Sequence, residues 1–206
     1  MSQFFQIHPD NPQGRLVAQA ANVIRNGGVV VYPTDSAYAI GCHLDDKSAA
    51  ERIRRIRQLQ DKHNFTLMCR DLSDIALYAK VDNDQYRIIK RCTPGPFTFI
   101  LNATKEVPRR LMHPKRKTIG LRVPQHNITQ ALLTELGEPM MSTTLWLPDH
   151  DRPLNEAWEI REALEHFVDL VIDGGACETK PTTVVSMVNA DLEILREGLG
   201  EPALLG

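Results

Sequence analysis

The feature that most constrains the fold is an alternation of helical and strand patterns along all 206 residues. Apolar residues spaced three and four apart predict helices at 14–26, 47–60, 74–79, 85–92, 127–136 and 156–167. Apolar or β-branched runs predict strands at 29–32, 65–69, 96–102, 117–123, 139–145, 169–175, 182–188 and 192–198. The alternation predicts an α/β domain. The closely spaced final strands, with an Asn-Ala-Asp turn at 189–191, favour a mixed sheet.

Local signals refine these elements. Ser48 is the predicted N-cap of the second helix, and the fifth helix is predicted to open on Asn127 and to close at Gly137. The chain has no internal repeat and no Pro/Ser-rich linker. These features predict one domain with helices flanking a single sheet.

Composition excludes several classes of protein. Apolar residues make up 42% of the chain and charged residues 24%, as in ordinary globular domains. No run approaches the roughly 20 apolar residues of a membrane span, and residues 1–11 lack the pattern of a signal peptide. We therefore expect a cytoplasmic protein whose four cysteines (Cys42, Cys69, Cys92 and Cys177) form no disulfide.

Charge is distributed unevenly along the chain. Residues 47–122 carry 18 Lys/Arg against 7 Asp/Glu, whereas residues 123–206 carry 4 against 15. One explanation is a positive surface that binds an anionic partner, and the other is two solvated faces on unrelated sides of the molecule.

Familiar catalytic motifs are missing from the sequence. It contains no phosphate-binding P-loop, no G-x-G-x-x-G after a strand, no G-x-S-x-G and no H-E-x-x-H. The histidines show no metal-ligand spacing with one another or with the cysteines, so we expect no structural metal.

Hydroxyl groups and arginines instead gather beside Pro or Gly at predicted strand ends. The segments are P-T-D-S at 33–36, I-G-L-R-V-P at 119–124, M-S-T-T at 141–144, P-T-T-V-V at 181–185 and I-L-R-E-G at 194–198. Ligands bind at strand ends of α/β sheets, and an arginine fork with hydroxyls suits a phosphate or a carboxylate. The alternative for each segment alone is turn chemistry.

These segments resemble the motifs of the YrdC-like family, the threonylcarbamoyl-adenylate synthases. P-T-D-S-A-Y-A-I-G at 33–41 is similar to the family's P-T-D-T-x-Y-G-L-G. Four further matches follow in family order: P-G-P-F-T at 94–98, G-L-R-V-P at 120–124, T-T-V-V at 182–185 and L-R-E-G at 195–198. The spellings H-N-F-T-L-M-C at 63–69 and P-G-P-F-T-F-I-L at 94–101 resemble the divergent YciO branch. The resemblance covers a domain at about 14–200.

The resemblance implies a twisted mixed sheet with a positively charged concave surface. Family members bind ATP with Mg²⁺, threonine and bicarbonate, and they make threonylcarbamoyl-AMP for tRNA modification at A37. The fold is also linked to double-stranded RNA binding. A monomer is expected, with a nucleotide or an acyl-adenylate as its ligand.

The resemblance and the charge pattern predict two sets of binding residues. The ligand-binding set is Thr34, Tyr38, Arg57, Arg122, Ser142, Thr144, Thr182 and Arg196. The RNA-binding set is Arg52, Arg54, Arg55, Lys115, Arg116 and Lys117. Asp35 is expected to orient Thr34, and His63 and His126 are expected to be structural or surface residues.

Two family motifs depart from the pattern. In the K-x-R pair, Arg57 replaces the lysine and Leu59 stands where the arginine is expected, while Lys62 has the wrong offset. In the S-A-N tripeptide, Thr144 keeps the hydroxyl but Trp146 replaces the asparagine. We therefore expect weak or altered catalysis, with an active synthase or an acyl-adenylate hydrolase as alternatives. Trp146 is either a packing residue or a stacking wall for a base.

Overall fold

The computed structural model describes residues 1–60, 63, 65–188 and 191–206. Lys62, Asn64 of the H-N-F-T-L-M-C segment and part of the predicted turn at 189–191 lie outside the described residues.

Helices and strands alternate along the chain as the sequence predicts. The helices are α1 Gly14–Arg25, α2 Lys47–Arg57, α3 Leu72–Tyr78, α4 Asn83–Cys92, α5 Asn127–Leu136 and α6 Ala157–Leu164. The strands are β1 Gln3–Gln6, β2 Val30–Tyr32, β3 Ala39–His43, β4 Thr66–Met68, β5 Phe97–Asn102, β6 Thr118–Arg122, β7 Met140–Thr144, β8 Leu170–Asp173, β9 Thr183–Ser186 and β10 Glu193–Arg196. Short 3₁₀ helices lie at Arg109–Leu111 and Pro202–Leu205.

Within the described residues, the strands form one ten-stranded sheet in the order β1-β8-β2-β3-β7-β4-β6-β5-β9-β10. The pairs β1–β8, β2–β8, β4–β6 and β5–β9 are parallel, and the remaining neighbours are antiparallel. The predicted α/β class with a single mixed sheet is confirmed.

Each face of the sheet carries its own apolar cluster. On the first face, α2, α3, α4 and α6 cover a long core that includes Ile53, Leu67, Phe99 and Leu121. On the second face, α1 and α5 pack on β2, β3, β8 and the adjoining ends of β4 and β7. Among the described residues, this second cluster takes no member from β5, β6, β9 or β10. One half of the second face is therefore left without a helical cover.

Helix boundaries follow from capping chemistry. The prediction that Ser48 caps α2 is wrong, because the N-cap is Asp46, whose carboxylate accepts a hydrogen bond from the backbone N–H of Ala49 at 2.8 Å. A carboxylate at this position satisfies an orphan N–H and also interacts favourably with the helix dipole. Asn127 is the first residue of α5, its N-cap is His126, and Gly137 ends the helix with φ +77°.

Two strands had no sequence signal strong enough to be predicted. β1 is a short edge strand that pairs only with β8. β3 contains Ala39, Gly41 and Cys42, whose small side chains do not show strand periodicity. A Cβ on Gly41 would lie 3.1 Å from the ring of Tyr32, so this glycine leaves room for the tyrosine.

The described cysteines are free, and three of the four are buried. No helix in the described part of the chain is both long enough and apolar enough to span a bilayer.

Candidate functional site

The uncovered half of the second sheet face, which we call the open face, carries a polar surface. In β5 and β6, Phe97, Phe99, Ile119 and Leu121 belong to the core on the first face. Because successive strand side chains point to opposite faces, the residues between them point to the open face. These residues are Thr98, Ile100, Asn102, Thr118, Gly120 and Arg122, and the same alternation adds Thr66 from β4 and Val184 and Ser186 from β9.

Arg122, at the end of β6, is 4% exposed and holds the P-T-D-S segment in place. Its Nη2 donates to Oδ1 of Asp35 and, at 3.2 Å, to the hydroxyl of Thr34. The other oxygen of Asp35 accepts from the backbone N–H of Gln125 at 3.0 Å. Thr34 also donates to the carbonyl of Ala37 at 2.7 Å. Asp35 thus positions Arg122 and Thr34 in one buried network.

Arg196 reaches the open face through a β-bulge. Ile194 pairs with Val185, and Arg196 pairs with Val184, so one extra residue lies between the two pairs. Ile194 packs against the core on the first face. In a regular strand, residues two apart point to the same face, so Arg196 would point the same way as Ile194 if there were no bulge. The bulge therefore turns Arg196 towards the open face.

Thr182 holds the guanidinium of Arg196. Nε and Nη2 donate to the carbonyl of Thr182 at 3.1 and 3.0 Å, and the Thr182 hydroxyl lies 2.9 Å from that of Thr98. Burial is the main cause that lowers the pKa of Arg196, and the positive charge of Arg122 adds to the effect. The two arginines therefore lie within electrostatic reach of each other.

Further cations surround His63. Burial lowers the pKa of His63 to about 4, and the charges of Arg57, Arg54 and Arg196 contribute to the shift. Burial also lowers the pKa of Arg57 to about 10, and its Nε is buried with no hydrogen-bond partner among the described residues. Burial and the charges of the three arginines therefore both favour the neutral form of the His63 imidazole.

A cavity of about 310 Å³ lies at this end, and we call it the arginine cavity. Its lining residues are His63, Thr66, Thr98, Ile100, Thr143, Thr144, Thr182, Val184, Leu195 and Arg196. Three predicted ligand-binding residues, Thr144, Thr182 and Arg196, thus line one cavity. Thr34 and Arg122 are buried and do not appear among its lining residues.

A second cavity of about 510 Å³ adjoins the first, and we call it the mixed-charge cavity. Its lining residues are Ile100, Asn102, Arg116, Thr118, Ser186, Val188, Asp191, Glu193 and Leu195. Ile100 and Leu195 line both cavities, so the two form neighbouring parts of one surface.

Two predicted ligand-binding residues are buried by other contacts. The hydroxyl of Tyr38 donates to the carbonyl of Gly175 at 2.7 Å, and the ring is fully buried. The hydroxyl of Ser142, which is 1% exposed, lies 2.6 Å from that of Tyr32. Burial raises the pKa of both tyrosines, so both phenols remain protonated.

The predicted RNA-binding residues lie on two elements, helix α2 and the loop before β6. Arg52 pairs with Asp169 at 2.8 Å and donates to the carbonyl of Phe167 at 2.9 Å. Arg54 lies over the ring of Phe65, with its Cζ 4.9 Å from the centroid, and donates to the Gln60 carbonyl.

Arg55 is exposed beside Arg52 and Phe167. Lys115, Arg116 and Lys117 are exposed on the loop before β6, where Arg116 lines the mixed-charge cavity. Three of the six cations therefore belong to α2 and three to the loop before β6.

Leu59 and Trp146, the two departures from the family motifs, make contacts outside the arginine cavity. Leu59 is partly buried and packs against the core on the first face. The indole N–H of Trp146 donates to the carbonyl of His150 at 2.8 Å, and the side chain is partly buried. Neither residue offers a hydrogen-bond donor to the arginine cavity, and neither is among its lining residues.

Sequence reasoning missed several residues of the site. The sequence predicts His63 as a structural or surface residue, and it predicts Tyr32, Thr66 and Thr98 only as strand residues. The signal for Thr66 and Thr98 was present, because each is a hydroxyl between apolar residues of a buried strand. Alternation along those strands predicts a polar side chain on one face.

The chemistry of the site favours an anionic ligand over a bare metal ion. Among the residues described, no group of three or more His, Cys, Asp or Glu side chains is placed to hold a metal ion. Asp35, the carboxylate beside Arg122, already accepts from that arginine and from Gln125. The residues present therefore do not fit a protein-held Mg²⁺ site.

The comparisons with known proteins agree with this architecture. The family model Sua5_yciO_yrdC, described as Telomere recombination, matches residues 22–198. YciO of Escherichia coli strain K12 is 58% identical over 201 residues, which are 98% of each chain. The crystal structure of E. coli YciO has a TM-score of 0.97 and 57% identity, and each chain is fully covered.

More distant structures share the fold. P. abyssi Sua5 complexed with L-threonine has a TM-score of 0.87 at 22% identity, covering 96% of this chain and 58% of that one. Full-length HypF in the phosphate- and nucleotide-bound form has a TM-score of 0.75 at 17% identity, covering 88% of this chain and 29% of that one.

Proposed function

This chain belongs to the Sua5_yciO_yrdC family, and from that premise we propose that it binds a nucleotide or an acyl-adenylate on the open face. We propose further that it is a relative of the threonylcarbamoyl-adenylate synthases with weak or altered catalysis. The observation that carries the proposal is the arginine cavity, because Arg196 and the hydroxyl groups of Thr98, Thr144 and Thr182 line it and none of its described lining residues is a carboxylate.

The physical argument concerns uncompensated charge. Arg122 is neutralised by Asp35, whereas Arg196 donates to the carbonyl and the hydroxyl of Thr182, and Arg57 has a buried Nε without a described partner. Guanidinium groups that are partly desolvated and close together repel each other, and a bound anion removes that repulsion. A phosphate suits the site because arginine forks and hydroxyls donate to its oxygens.

Two neighbours support the ligand class. The Sua5 structure was solved with L-threonine, and the HypF structure was solved with phosphate and nucleotide. These two proteins therefore bind ligands with carboxylate or phosphate groups, and the arginine cavity has donors for either. A magnesium ion, on this proposal, is carried by the phosphates of the nucleotide.

Weak catalysis follows from Leu59 and Trp146. A synthase must hold carboxylate, carbamate and triphosphate groups together against their repulsion, so each fixed donor stabilises the transition state. Leu59 packs against the core, and the indole N–H of Trp146 donates to the carbonyl of His150. Neither residue therefore supplies a donor to a bound ligand. Loss of two donors lowers product formation by orders of magnitude while sparing binding through Arg196 and Thr182.

The test is calorimetric titration of ATP and of inorganic tripolyphosphate into the wild type and Arg196→Met. Loss of one charge-assisted contact predicts about 10- to 100-fold weaker binding of both ligands. Arg87→Met is the matched control, because Arg87 is 76% exposed and contacts only Asp84 among the described ion pairs. Equal affinities for both variants would overturn the proposed site.

The same preparation separates the catalytic alternatives. Wild-type protein is incubated with ATP, threonine and bicarbonate, and threonylcarbamoyl-AMP is quantified by mass spectrometry. Rapid accumulation indicates an active synthase and contradicts weak catalysis. Disappearance of added threonylcarbamoyl-AMP at a rate above that of the protein-free control indicates a hydrolase.

RNA binding is a second candidate function, favoured by three consecutive exposed cations at 115–117 next to the open face. Binding to phosphates releases counterions, so the affinity for double-stranded RNA must fall steeply with salt. Filter binding at increasing salt tests this, with Lys115→Ala/Lys117→Ala as the variant and Arg87→Ala, at an exposed arginine outside the predicted RNA-binding set, as the control. A flat salt dependence would reject RNA as a partner.

A further inference from the structure

β1 is an edge strand, and half of its backbone groups point away from the sheet. The N–H groups of Gln3 and Ile7 donate to backbone carbonyls on the β8 side at 2.8 and 2.9 Å. Backbone groups alternate in direction along a strand, so the N–H and C=O groups of Phe4 and Gln6 point outwards. None of these outward groups has a hydrogen-bond partner among the described residues. The outer side of β1 can therefore pair with another strand.

The two edges of the sheet differ in how they are protected from such pairing. β10, at the other edge, carries Glu193 and Arg196 and contains the bulge described above. Charged side chains and bulges are devices by which edge strands avoid pairing with other chains. β1 has the sequence Q-F-F-Q, with no charge and no proline, and its register with β8 is regular. β1 is therefore the edge that suits a second strand.

Aromatic side chains adjoin the outer side of β1. Phe4 and Phe5 are both partly exposed. The guanidinium of Arg161, on α6, lies over the ring of Phe4, with its Cζ 5.0 Å from the centroid. Trp158 precedes Arg161 by three residues on the same helix, which places the two side chains next to each other, and it is 62% exposed. Tryptophan and phenylalanine are enriched in protein interfaces, so this edge offers apolar area to a partner.

The surface at the start of β1 is polar but has no net charge. A cavity of about 640 Å³ lies there, and its charged lining residues, Arg52 and Asp169, pair with each other at 2.8 Å. The side-chain amides in its lining are those of Gln3, Gln19, Asn22 and Asn26. Two copies of this surface can therefore approach each other without repulsion between like charges.

We propose that β1 pairs antiparallel with β1 of a second copy of this chain, around a two-fold axis perpendicular to the sheet. Such an axis keeps each side chain on its own face, so paired positions are an even number of residues apart. The register that uses both outward residues places Phe4 opposite the partner's Gln6, and Gln6 opposite the partner's Phe4. Phe5 then lies opposite its own copy in a non-hydrogen-bonded pair, with the two Cα atoms about 4.5 Å apart.

This register has the most backbone pairing that β1 allows. Its two hydrogen-bonded pairs contain four N–H···O=C bonds. A register centred on Phe4 would need Ser2 opposite the partner's Gln6, but the N–H of Ser2 already donates to the carbonyl of Glu165 at 2.7 Å. The joint lies at the opposite edge of the sheet from β9 and β10, so the open face of each copy stays uncovered.

Sedimentation equilibrium of the full chain measures the dissociation constant of the dimer. Gln6→Pro removes an outward N–H from each copy and leaves the β8 pairing intact, so the dissociation constant is expected to rise about 10- to 100-fold. Gln6→Ala is the matched control, because it changes the same side chain but keeps the N–H, and it is expected to stay within about threefold of the wild type. Equal dissociation constants for the two variants would overturn the proposal, as would a wild type that is monomeric at up to about 1 mM.

A cross-linking experiment tests the register and covers the case in which Gln6→Pro does not fold. Phe5→Cys places two sulfurs across the central pair, at a Cα separation that suits a disulfide, so oxidation with copper phenanthroline should give a covalent dimer on a non-reducing gel. Gln3→Cys is the control, because its two copies would lie about 14 Å apart along the strands. The wild type shows the background from the native cysteines. Cross-linking of Gln3→Cys to the same extent, or none above background for Phe5→Cys, would refute this pairing.

Discussion

Arg122 and Asp35 form a buried ion pair in which Nη2 of the guanidinium donates to Oδ1 of the carboxylate. Their side chains are 5% and 11% exposed. The pair joins the segment after β2 to the end of β6, and the second carboxylate oxygen receives the backbone N–H of Gln125. One carboxylate thus neutralises the most deeply buried arginine of the site and anchors two loops.

Removing this carboxylate is expected to destabilise the fold strongly. Asp35→Ala leaves a buried guanidinium unpaired, which lowers the free energy of unfolding by about 3–5 kcal/mol. Asp35→Asn retains a hydrogen-bond acceptor, so its free energy of unfolding is expected to fall by less than that of Asp35→Ala. Urea denaturation measures both, with Asp84→Ala as the control because Asp84 is 88% exposed in its pair with Arg87. If Asp35→Ala and the control unfold at the same urea concentration, the pair is not a stabilising contact.

The hydroxyls of Tyr32 and Ser142 are expected to be energetically coupled. Tyr32→Phe leaves the buried Ser142 hydroxyl without its partner at 2.6 Å, which lowers the free energy of unfolding by about 1–3 kcal/mol. Adding Ser142→Ala to Tyr32→Phe removes the unpaired hydroxyl. The loss of free energy of unfolding in the double variant should therefore be smaller than the sum of the losses in the two single variants.

A double-mutant cycle by thermal or urea unfolding measures that coupling. Tyr38→Phe combined with Ser142→Ala is the control, because Tyr38 donates to Gly175 instead. Strict additivity in the Tyr32 cycle would refute the hydrogen bond.

His63 provides a direct reporter of anion binding. Its pKa is about 4 in the free protein because of burial and the charges of Arg57, Arg54 and Arg196. A bound polyanion offsets those charges and is expected to raise the pKa of His63 by about one pH unit or more, which is about 1.4 kcal/mol. NMR titration of its ring resonances with and without tripolyphosphate tests this, with the exposed His166 as the internal control. An unchanged His63 titration at saturating ligand would place the anion elsewhere.

The same shift predicts how stability depends on pH. The folded pKa of His63, about 4, lies below the ordinary value of 6.5. Between these values the unfolded chain binds a proton that the folded chain does not bind, so this group makes the protein less stable as the pH falls from about 6.5 to about 4. Between pH 6.5 and pH 4, the urea midpoint of the wild type should fall by more than the midpoint of His63→Gln. Parallel midpoints over the whole range would contradict the shift.

Restoring the two missing donors is expected to raise synthase activity. Leu59→Arg with Trp146→Asn returns a cation and an amide, and threonylcarbamoyl-AMP formation should increase at least about tenfold if these losses limit catalysis. Gln60→Arg in place of Leu59→Arg controls for an added charge at a neighbouring exposed position. An increase with Gln60→Arg of the same size would assign the effect to net charge alone.

Much of the fold was predictable because the spacing of apolar residues along the sequence indicates which side chains are buried. The spacing of Ile53 and its neighbours on α2, and the alternation around Thr98 on β5, follow directly from which face packs on the core. β3 escaped prediction because its small residues show no strand periodicity. A Cβ at Gly41 would lie 2.8 Å from the carbonyl oxygen of Met141 and 3.1 Å from the ring of Tyr32, which are contacts between separate strands. The N-cap of α2 is not determined by the sequence, because Ser48 and Asp46 are both residues that favour this position. In the structure it is the Asp46 side chain that accepts a hydrogen bond from the backbone N–H of Ala49.

The sequence by itself determined the α/β class, the order of the elements and the family motifs, because these depend on local spacing and on residue identity. Only the tertiary structure decided which motif residues act together. The bulge that turns Arg196 away from the side of Ile194 depends on pairing between β9 and β10. The lowered pKa of His63 arises mainly from burial of its ring, and the charges of Arg57, Arg54 and Arg196 add to it. Both effects depend on segments that only the folded chain brings together, because electrostatic interactions act through space and not along the chain.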